Sequence, residues 1–465
     1  MARKALILYI SVIMCCMVLV ATILHQGSAL TVKNLAQISG AINPQLTGAT
    51  KNVFLSNLQH PLSLFLLEVT IIVVLSQCLG FLSKKIYQPV IVGEIMAGIL
   101  LGPTFLGKYF PEAFEFLFNK NSLGGLQIFS QFGLMLFMFI VGMEVDMKSL
   151  RAVSGKATII SHVSILLPFV MGMFLAYFIY DGYAPHGVHF SSFALFCGMS
   201  LSVTAFPVLA RIIKENKLSG TPAGDVSITG AAIGDITVWC ILPLVIAIGK
   251  SADFNTAFIT IGLAIVYVLF MLFVMKPVFN KLFKQVNREG AIKKRYISLV
   301  FIALFISSYL SDLMGIHLLF GAFLAGVIIP DNVKFRKLLT GKIEDLSLVI
   351  LLPVFFALTG LKTEIGFLNN GGMFQLFLII SALAIIGKFV GAGVAAKVTG
   401  FTNKQSVIVG ILMNTRGLME VVILNIGLEL NIITRELFTV MVLMAIITTI
   451  MAGPLLTLVQ KKMKD

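Results

Sequence analysis

Long apolar runs alternate with short polar stretches from one end of this chain to the other. Fourteen such runs lie near residues 5–25, 60–82, 87–103, 125–145, 157–180, 190–213, 222–249, 256–278, 296–312, 315–330, 345–361, 373–396, 405–428 and 436–459. Each reads as helix, because at about 1.5 Å per residue a helix of about 20 residues crosses a hydrocarbon core about 30 Å thick. The pattern predicts an all-α, polytopic membrane protein with nothing of domain size left over.

One run carries a carboxylate far from either end. In TPAGDVSITGAAIGDITVWCILPLVIAIG (221–249), thirteen residues lead from Pro222 to Asp235. That places Asp235 about 20 Å into the helix, beyond the bilayer midplane. A charge there costs about 3 kcal/mol or more unless it faces water or a partner, so ionisable residues at that depth are functional candidates by default. Asp225, in the first turn, carries no such cost.

Two other runs are interrupted mid-span. FALFCGMSLSVTAFPVLARIIK (193–214) breaks over Ser202 to Pro207, passing through Thr204. Proline there removes a backbone donor and disfavours helix just before it. SVIVGILMNTRGLMEVVILNIGL (406–428) breaks at Asn414, Thr415, Arg416 and Gly417, polar residues that no lipid-facing helix tolerates. A simple kink explains Pro207 alone; two breaks in corresponding halves predict discontinuous helices meeting near the bilayer centre, where dipole ends and freed carbonyls hold an ion. Gly93, Ala97 and Gly98 also recur as Gly321, Ala325 and Gly326, at a constant offset of 228. By loop count those two runs cross in opposite directions, as an inverted-topology repeat requires.

Lys388 lies in MFQLFLIISALAIIGKFVGAGVAAKV (373–398), about 14 Å from the nearer helix end and too deep for comfortable snorkelling. Its expected partner is Asp235, since Gly230 with Gly234 and Gly387 with Gly391 give both helices small faces for close approach. Arg416 and Glu420, four residues apart, are expected to neutralise each other and pin the broken segment. Glu94 and Glu144, near run ends, are expected in the interface or as caps, and His162 and His317 as satisfied core histidines.

Composition agrees with the pattern: 58% hydrophobic and 12% charged residues, with a mean hydropathy of +0.98, suit neither a soluble nor a disordered chain. The net charge of +14 does not imply nucleic acid. With the N-terminus inside, 26 of the 35 Lys and Arg fall in alternate loops, densest at 276–296, and 7 on the opposite side. The positive-inside rule then turns the basic excess and the C-terminus towards the cytoplasm of a cell membrane. Cys15, Cys16, Cys78, Cys197 and Cys240 sit inside apolar runs as small packing residues. The first run suits a signal peptide ending near Gly27-Ser28-Ala29 or an uncleaved helix; its length favours the helix.

One buried carboxylate is chemically sufficient for exchange. Removing it from water disfavours its charged form, so a proton or a small cation neutralises it, and the two compete for one site. With Ser202, Thr204 and the broken backbone as a hard-oxygen shell, the expected function is antiport of Na⁺ or K⁺ against H⁺. A cation-coupled symporter of an organic anion is the nearest alternative. A channel is less favoured because no repeated filter is present, and an enzyme because no H-E-x-x-H or comparable cluster is. No cofactor, resident metal or catalytic residue is implied.

VGEIMAGILLGPTFLG, FGLMLFMFIVGMEVD, SLSVTAFPVLARIIKENKL, AAIGDITVWCILPLVIAI and NTRGLMEVVILNIGLE resemble, in consistent order, the second family of monovalent cation/proton antiporters. That family includes bacterial Na⁺/H⁺ antiporters, glutathione-gated potassium efflux proteins and plant cation/proton exchangers, whose membrane domain this chain is most like. The resemblance covers residues 60–460 and implies a homodimer of thirteen-helix subunits, with a dimerisation part and a six-helix core interleaved in that span. Residues 1–59 would form an extra N-terminal helix and external spacer, and 461–465 a basic tail. It further implies crossed broken helices at 190–213 and 405–428, Asp235 as the ion- and proton-carrying carboxylate, and elevator-type alternating access. Three features depart from the family pattern. Gly234-Asp235 stands where sodium antiporters place Asp-Asp or Asn-Asp; Lys388 matches the basic position whose usual partner is the residue replaced by Gly234; and no nucleotide-binding regulatory domain follows, so nucleotide or glutathione gating is not expected.

Overall fold

A computed structural model describes residues 60–86, 88–144, 155–250, 254–283, 294–330 and 333–461. The first apolar run, most of the spacer after it, part of the basic loop at 276–296 and the last four residues lie outside the described residues, as do Cys15 and Cys16. Every regular element described is helical. Leaving aside two short helices, Leu106–Tyr109 and Pro111–Leu117, the first in chain order are α1 (Pro61–Lys85), α2 (Val90–Leu101), α3 (Lys120–Glu144), α4 (Gly155–Tyr183), α5 (Phe190–Ser202), α6 (Phe206–Glu215) and α7 (Pro222–Lys250). There follow α8 (Phe254–Phe270), α9 (Lys294–Leu313), α10 (Leu318–Val327), α11 (Val333–Leu346), α12 (Leu352–Lys362), α13 (Gly371–Val398), α14 (Asn403–Met413), α15 (Leu418–Glu429) and α16 (Arg435–Lys461).

Among the described residues, eleven helical stretches are long and apolar enough to cross a membrane, and α5 and α10 are shorter apolar helices. The run at 190–213 falls below spanning length because it is interrupted. Beyond α8 the helix continues through a π turn, Met271–Met275, into Lys276–Leu282, so the start of the expected basic loop is helical.

The helices pack in two groups. One contains α4, α5, α6, α7, α13, α14, α15 and α16; the other contains α1, α2, α3, α9, α10 and α12. The α14–α15 stretch is the most enclosed, with 94% of its apolar window buried against 17% for the stretch that begins in α8. Polar residues survive mid-span in α14–α15 because protein rather than lipid surrounds them.

Backbone contact locks the second group. A side chain on Gly98 or Gly360 would run into the backbone of Ala357 or Ile95, so α2 and α12 touch without intervening side chains. Overpacking costs about 1–3 kcal/mol where side chains can shift, and here the obstacle is main chain. Gly98→Val is therefore expected to lower the thermal midpoint of the purified protein sharply, measured by size-exclusion chromatography after heating. A native midpoint would contradict the interlock.

The other expected glycine contact is corrected. Gly230 and Gly234 of α7 face Ala157, Ser161 and Ile165 of α4, and Gly387 and Gly391 of α13 face Val163, Leu167, Pro168 and Met171 of the same helix. The small faces do bring helices close, but α4 is the neighbour of both. His162 is exposed rather than in the core, its ring nitrogen on the Thr158 carbonyl of its own helix. His317 is half-buried and caps α10. Cys197 is buried, whereas Cys78 and Cys240 lie on exposed faces. Glu144 ends α3 and is exposed, while Glu94 is buried inside α2. Arg336 clamps helix ends by donating to the carbonyls of Met143, Ile329 and Pro330.

Candidate functional site: the crossing of two broken helices

Helix α5 stops at Ser202 because Val203 is extended (φ −72°, ψ 141°) and Ala205 remains outside the helical region. Helix α6 resumes at Phe206 with Pro207 in its first turn, where a missing N–H costs nothing. In the second pair, α14 ends at Met413 and α15 begins after Gly417. The breaks lie against each other: the Ala205 N–H donates to the Thr415 carbonyl at 3.1 Å, and the Thr204 hydroxyl donates to the Met413 carbonyl at 3.0 Å. Gly417 permits this approach, since a Cβ there would sit 2.8 Å from Val208 and 3.2 Å from Ala205.

Four half-helix ends thus converge in an apolar interior, and the charges are placed against their dipoles. Arg416 donates to the Ser200 and Leu201 carbonyls at the C-terminal end of α5, at 3.2 and 2.7 Å, and to Glu420 at 3.0 Å. Glu420 occupies the first turn of α15, where negative charge is favoured, and the expected pair forms fully buried, with Arg416 reaching it from the break and not from a helix. Thr449 of α16 anchors the same segment by donating to the Arg416 carbonyl at 2.7 Å.

Asp235 sits at the N-terminal end of α6, with the Phe206 backbone N–H directed at its carboxylate. The side chain is buried, at 7% exposure, and Oδ1 has no hydrogen-bond partner among the described residues. Oδ1 of Asn414, in the opposite break, is likewise buried and unpartnered there. Unsatisfied buried oxygens are rare in native proteins and ask for an explanation.

No hydrogen bond joins Lys388 to the Asp235 expected as its partner from the sequence, although the two side chains lie close enough for their charges to attract. Fully buried, Lys388 donates to the Thr204 hydroxyl at 2.6 Å and to Ser164 of α4 at 3.4 Å. With α4 lying between α7 and α13, the ammonium is aimed at the first break instead. Through Thr204 it also supports the C-terminal end of α14, where positive charge is favourable. The Ser202 hydroxyl donates to the Gly198 and Ile165 carbonyls at 2.7 and 3.0 Å, so its oxygen keeps lone pairs but its proton is committed. Ser164, Thr449 and the Phe206 amide were not marked by sequence reasoning. A single hydroxyl in an apolar run, or a main-chain N–H, leaves no distinguishing pattern.

The two ends of the molecule differ. Beside Gln88, Arg211, Glu215 and Asn216 lies a cavity of about 420 Å³ that reaches Thr449 at the second break. At the opposite end a cavity of about 440 Å³ lies beside Pro103, Lys108 and Glu364, while only about 20 Å³ is left among Gln127, Gln131, Lys362, Asn425 and Glu429, room for about one water. There Gln127 and Gln131 of α3 each donate to Glu429 at 3.2 Å, Lys362 of α12 donates to Asn425 at 3.3 Å, and Asn425 donates to Thr359 at 2.7 Å. These bonds tie α15 to the second helix group.

A bundle of apolar helices around a buried crossing of broken ones, holding beside the paired Glu420 a carboxylate with no ion-pair partner among the described residues, defines a secondary transporter of small ions. Comparison with known proteins makes the class specific. Residues 70–462 match the sodium/hydrogen exchanger transmembrane family, and the chain belongs to that family, one of cation/proton antiporters and not of enzymes. It is 38% identical over 397 residues to the Na⁺/H⁺ antiporter NhaS4 of Synechocystis, covering 85% of this chain and 97% of that protein. It is 32% identical to the K⁺/H⁺ antiporter 1 of Saccharomyces cerevisiae, covering 88% of this chain and 48% of the relative, and so spans about half of that protein's length. The fold is similar to that of the sodium proton antiporter MjNhaP1 of Methanocaldococcus jannaschii, with a TM-score of 0.58 at 15% identity over 86% of this chain and 95% of that one.

Proposed function

We propose that this protein exchanges Na⁺ or K⁺ for protons across a cell membrane, with Asp235 carrying proton and cation in turn. The observation that carries the reading is the buried Asp235 carboxylate at the start of α6, one oxygen unpartnered, beside the crossing. A proton neutralises that charge, and so does an alkali cation; each excludes the other. Ser202 and Thr204, whose oxygens retain lone pairs, line the break beside it and join the cation shell, while Lys388 holds Thr204 in place. Asn414, Thr415, Arg416, Gly417, Glu420 and Pro207 shape the two breaks.

The larger architecture belongs to the same proposal: a homodimer of subunits with thirteen core helices built as inverted repeats, with the C-terminus in the cytoplasm. The division into 1–59, 60–460 and 461–465 is retained. The helix group around the crossing moves as a body against the other group, in the manner of an elevator. Supporting this, the cavity at the end richer in basic loops reaches Thr449 at the second break, and at the opposite end the bonds of Glu429 and Asn425 tie α15 to the second helix group, bonds which such a movement breaks and reforms.

Reconstitution tests the function. In proteoliposomes with an internal pH dye, adding Na⁺ or K⁺ outside is expected to drive protons out with no organic substrate present. The apparent affinity for the cation is expected to fall as proton concentration rises. One carboxylate exchanging one proton for one cation is electroneutral, so an imposed membrane potential should leave the flux unchanged. Channel-like currents, or proton movement in the same direction as the cation, would overturn the proposal.

A further inference from the structure

The residue before the carboxylate is glycine, and its packing does not demand one. A Cβ on Gly234 would meet Ser161 Oγ at 3.6 Å and Ile165 Cδ1 at 3.7 Å, both ordinary contacts. Gly98, against the backbone of Ala357, has no such room. Close helix approach therefore does not require the glycine, and the space its side chain would take lies beside Ser161 and Ile165.

Ser161 borders that space. It is fully buried on α4, and its hydroxyl has no hydrogen-bond partner among the described residues. Hydroxyls on helices usually return their proton to the carbonyl four residues back, as Ser200 does to Phe196 at 2.9 Å and Ser227 does to Ala223 at 2.7 Å. Ser161 does not. One turn along the same face, Ser164 accepts from Lys388, so α4 carries one hydroxyl for the fixed cation and one with no assigned partner. The unpartnered hydroxyl lies against α7 at Gly234, the residue before Asp235 in the chain.

We propose that Ser161 is a ligand of the transported cation, bound directly or through one of the ion's own waters, and that Gly234 keeps the approach to it clear. The proposal rests on Asp235 being the carrier. A neutral hydroxyl oxygen suits an alkali cation, which favours hard oxygen ligands. Its place on α4 adds a third helix to a site otherwise made by α7 and the first break.

The hydroxyl's lack of a partner separates this role from a structural one. A serine that stabilises the fold loses stability on truncation, whereas removing an unsatisfied buried hydroxyl relieves a cost. Ser161→Ala is therefore expected to keep or raise the thermal midpoint while increasing the apparent KM for the cation about tenfold, with the rate at saturating cation near native. Ser161→Thr, which retains the hydroxyl, should keep native affinity, and Gly234→Asn in the Ser161→Ala background should recover affinity by bringing an amide oxygen to the same space. An unchanged KM in Ser161→Ala, or a fall in stability with KM unaltered, overturns the assignment of Ser161. Exchange persisting in Asp235→Asn would instead overturn the carrier on which it rests, so the two failures are told apart by different variants.

Discussion

Asp235→Asn is expected to reduce cation-dependent proton flux in proteoliposomes by more than about 100-fold, the scale of losing an essential proton-transferring group. Asparagine has nearly the same shape, and its amide oxygen can still accept from the Phe206 N–H that faces the native carboxylate. What it lacks is a charge to be neutralised by turns. Because the native carboxylate is buried with Oδ1 unpartnered, replacing it with a neutral group removes a desolvation cost. The thermal midpoint should therefore hold or rise while transport disappears. That combination distinguishes loss of the carrier from loss of the fold. Near-native exchange by a well-folded Asp235→Asn protein would refute Asp235 as the carrier.

Much of this was legible in the chain because hydrocarbon is an unforgiving solvent. A run of apolar residues long enough to cross it has little choice but helix, so the helical class follows from pattern alone. The breaks at 203–205 and 414–417 were equally visible, since proline shortly after Ser202 and Thr204, or Asn-Thr-Arg-Gly within an apolar run, fits no continuous lipid-facing helix. The Arg416–Glu420 pair, expected from helical spacing, closes at 3.0 Å although Arg416 lies in the break and not on a helix.

Neighbourhood was the part the sequence did not convey. Glycine faces on α7 and α13 announce close packing without naming the partner, and both meet α4. The lysine was consequently matched to the nearest carboxylate in depth, when its donors go to Thr204 and Ser164. Depth is a one-dimensional coordinate that sequence supplies; azimuth around the bundle requires the packed structure. The same reasoning explains why Ser161 attracted no notice. Its hydroxyl is ordinary until its burial without a partner among the described residues, facing Gly234, is seen.

The largest effect on folding is expected at Arg416. Arg416→Ala leaves Glu420 buried without its counter-charge and strips donors from the Ser200 and Leu201 carbonyls at the end of α5. Breaking a buried ion pair by removing one partner costs about 3–5 kcal/mol, a large share of the about 5–15 kcal/mol that holds a domain together. The variant should therefore yield little monodisperse protein, or protein whose thermal midpoint is sharply lowered. Arg416→Lys should recover only part of the loss, because an ammonium on a flexible stem does not reproduce a planar fork that reaches two carbonyls and a carboxylate at once. Glu420→Gln should be milder, since the arginine keeps both carbonyls and an amide oxygen. Combining Arg416→Met with Glu420→Leu removes both charges and should be less damaging than Arg416→Ala. It should not reach native stability, because the two carbonyls of α5 still lack their donors. Native thermal stability in Arg416→Ala would mean that the crossing is held by the backbone contacts of Ala205 and Thr415 rather than by charge.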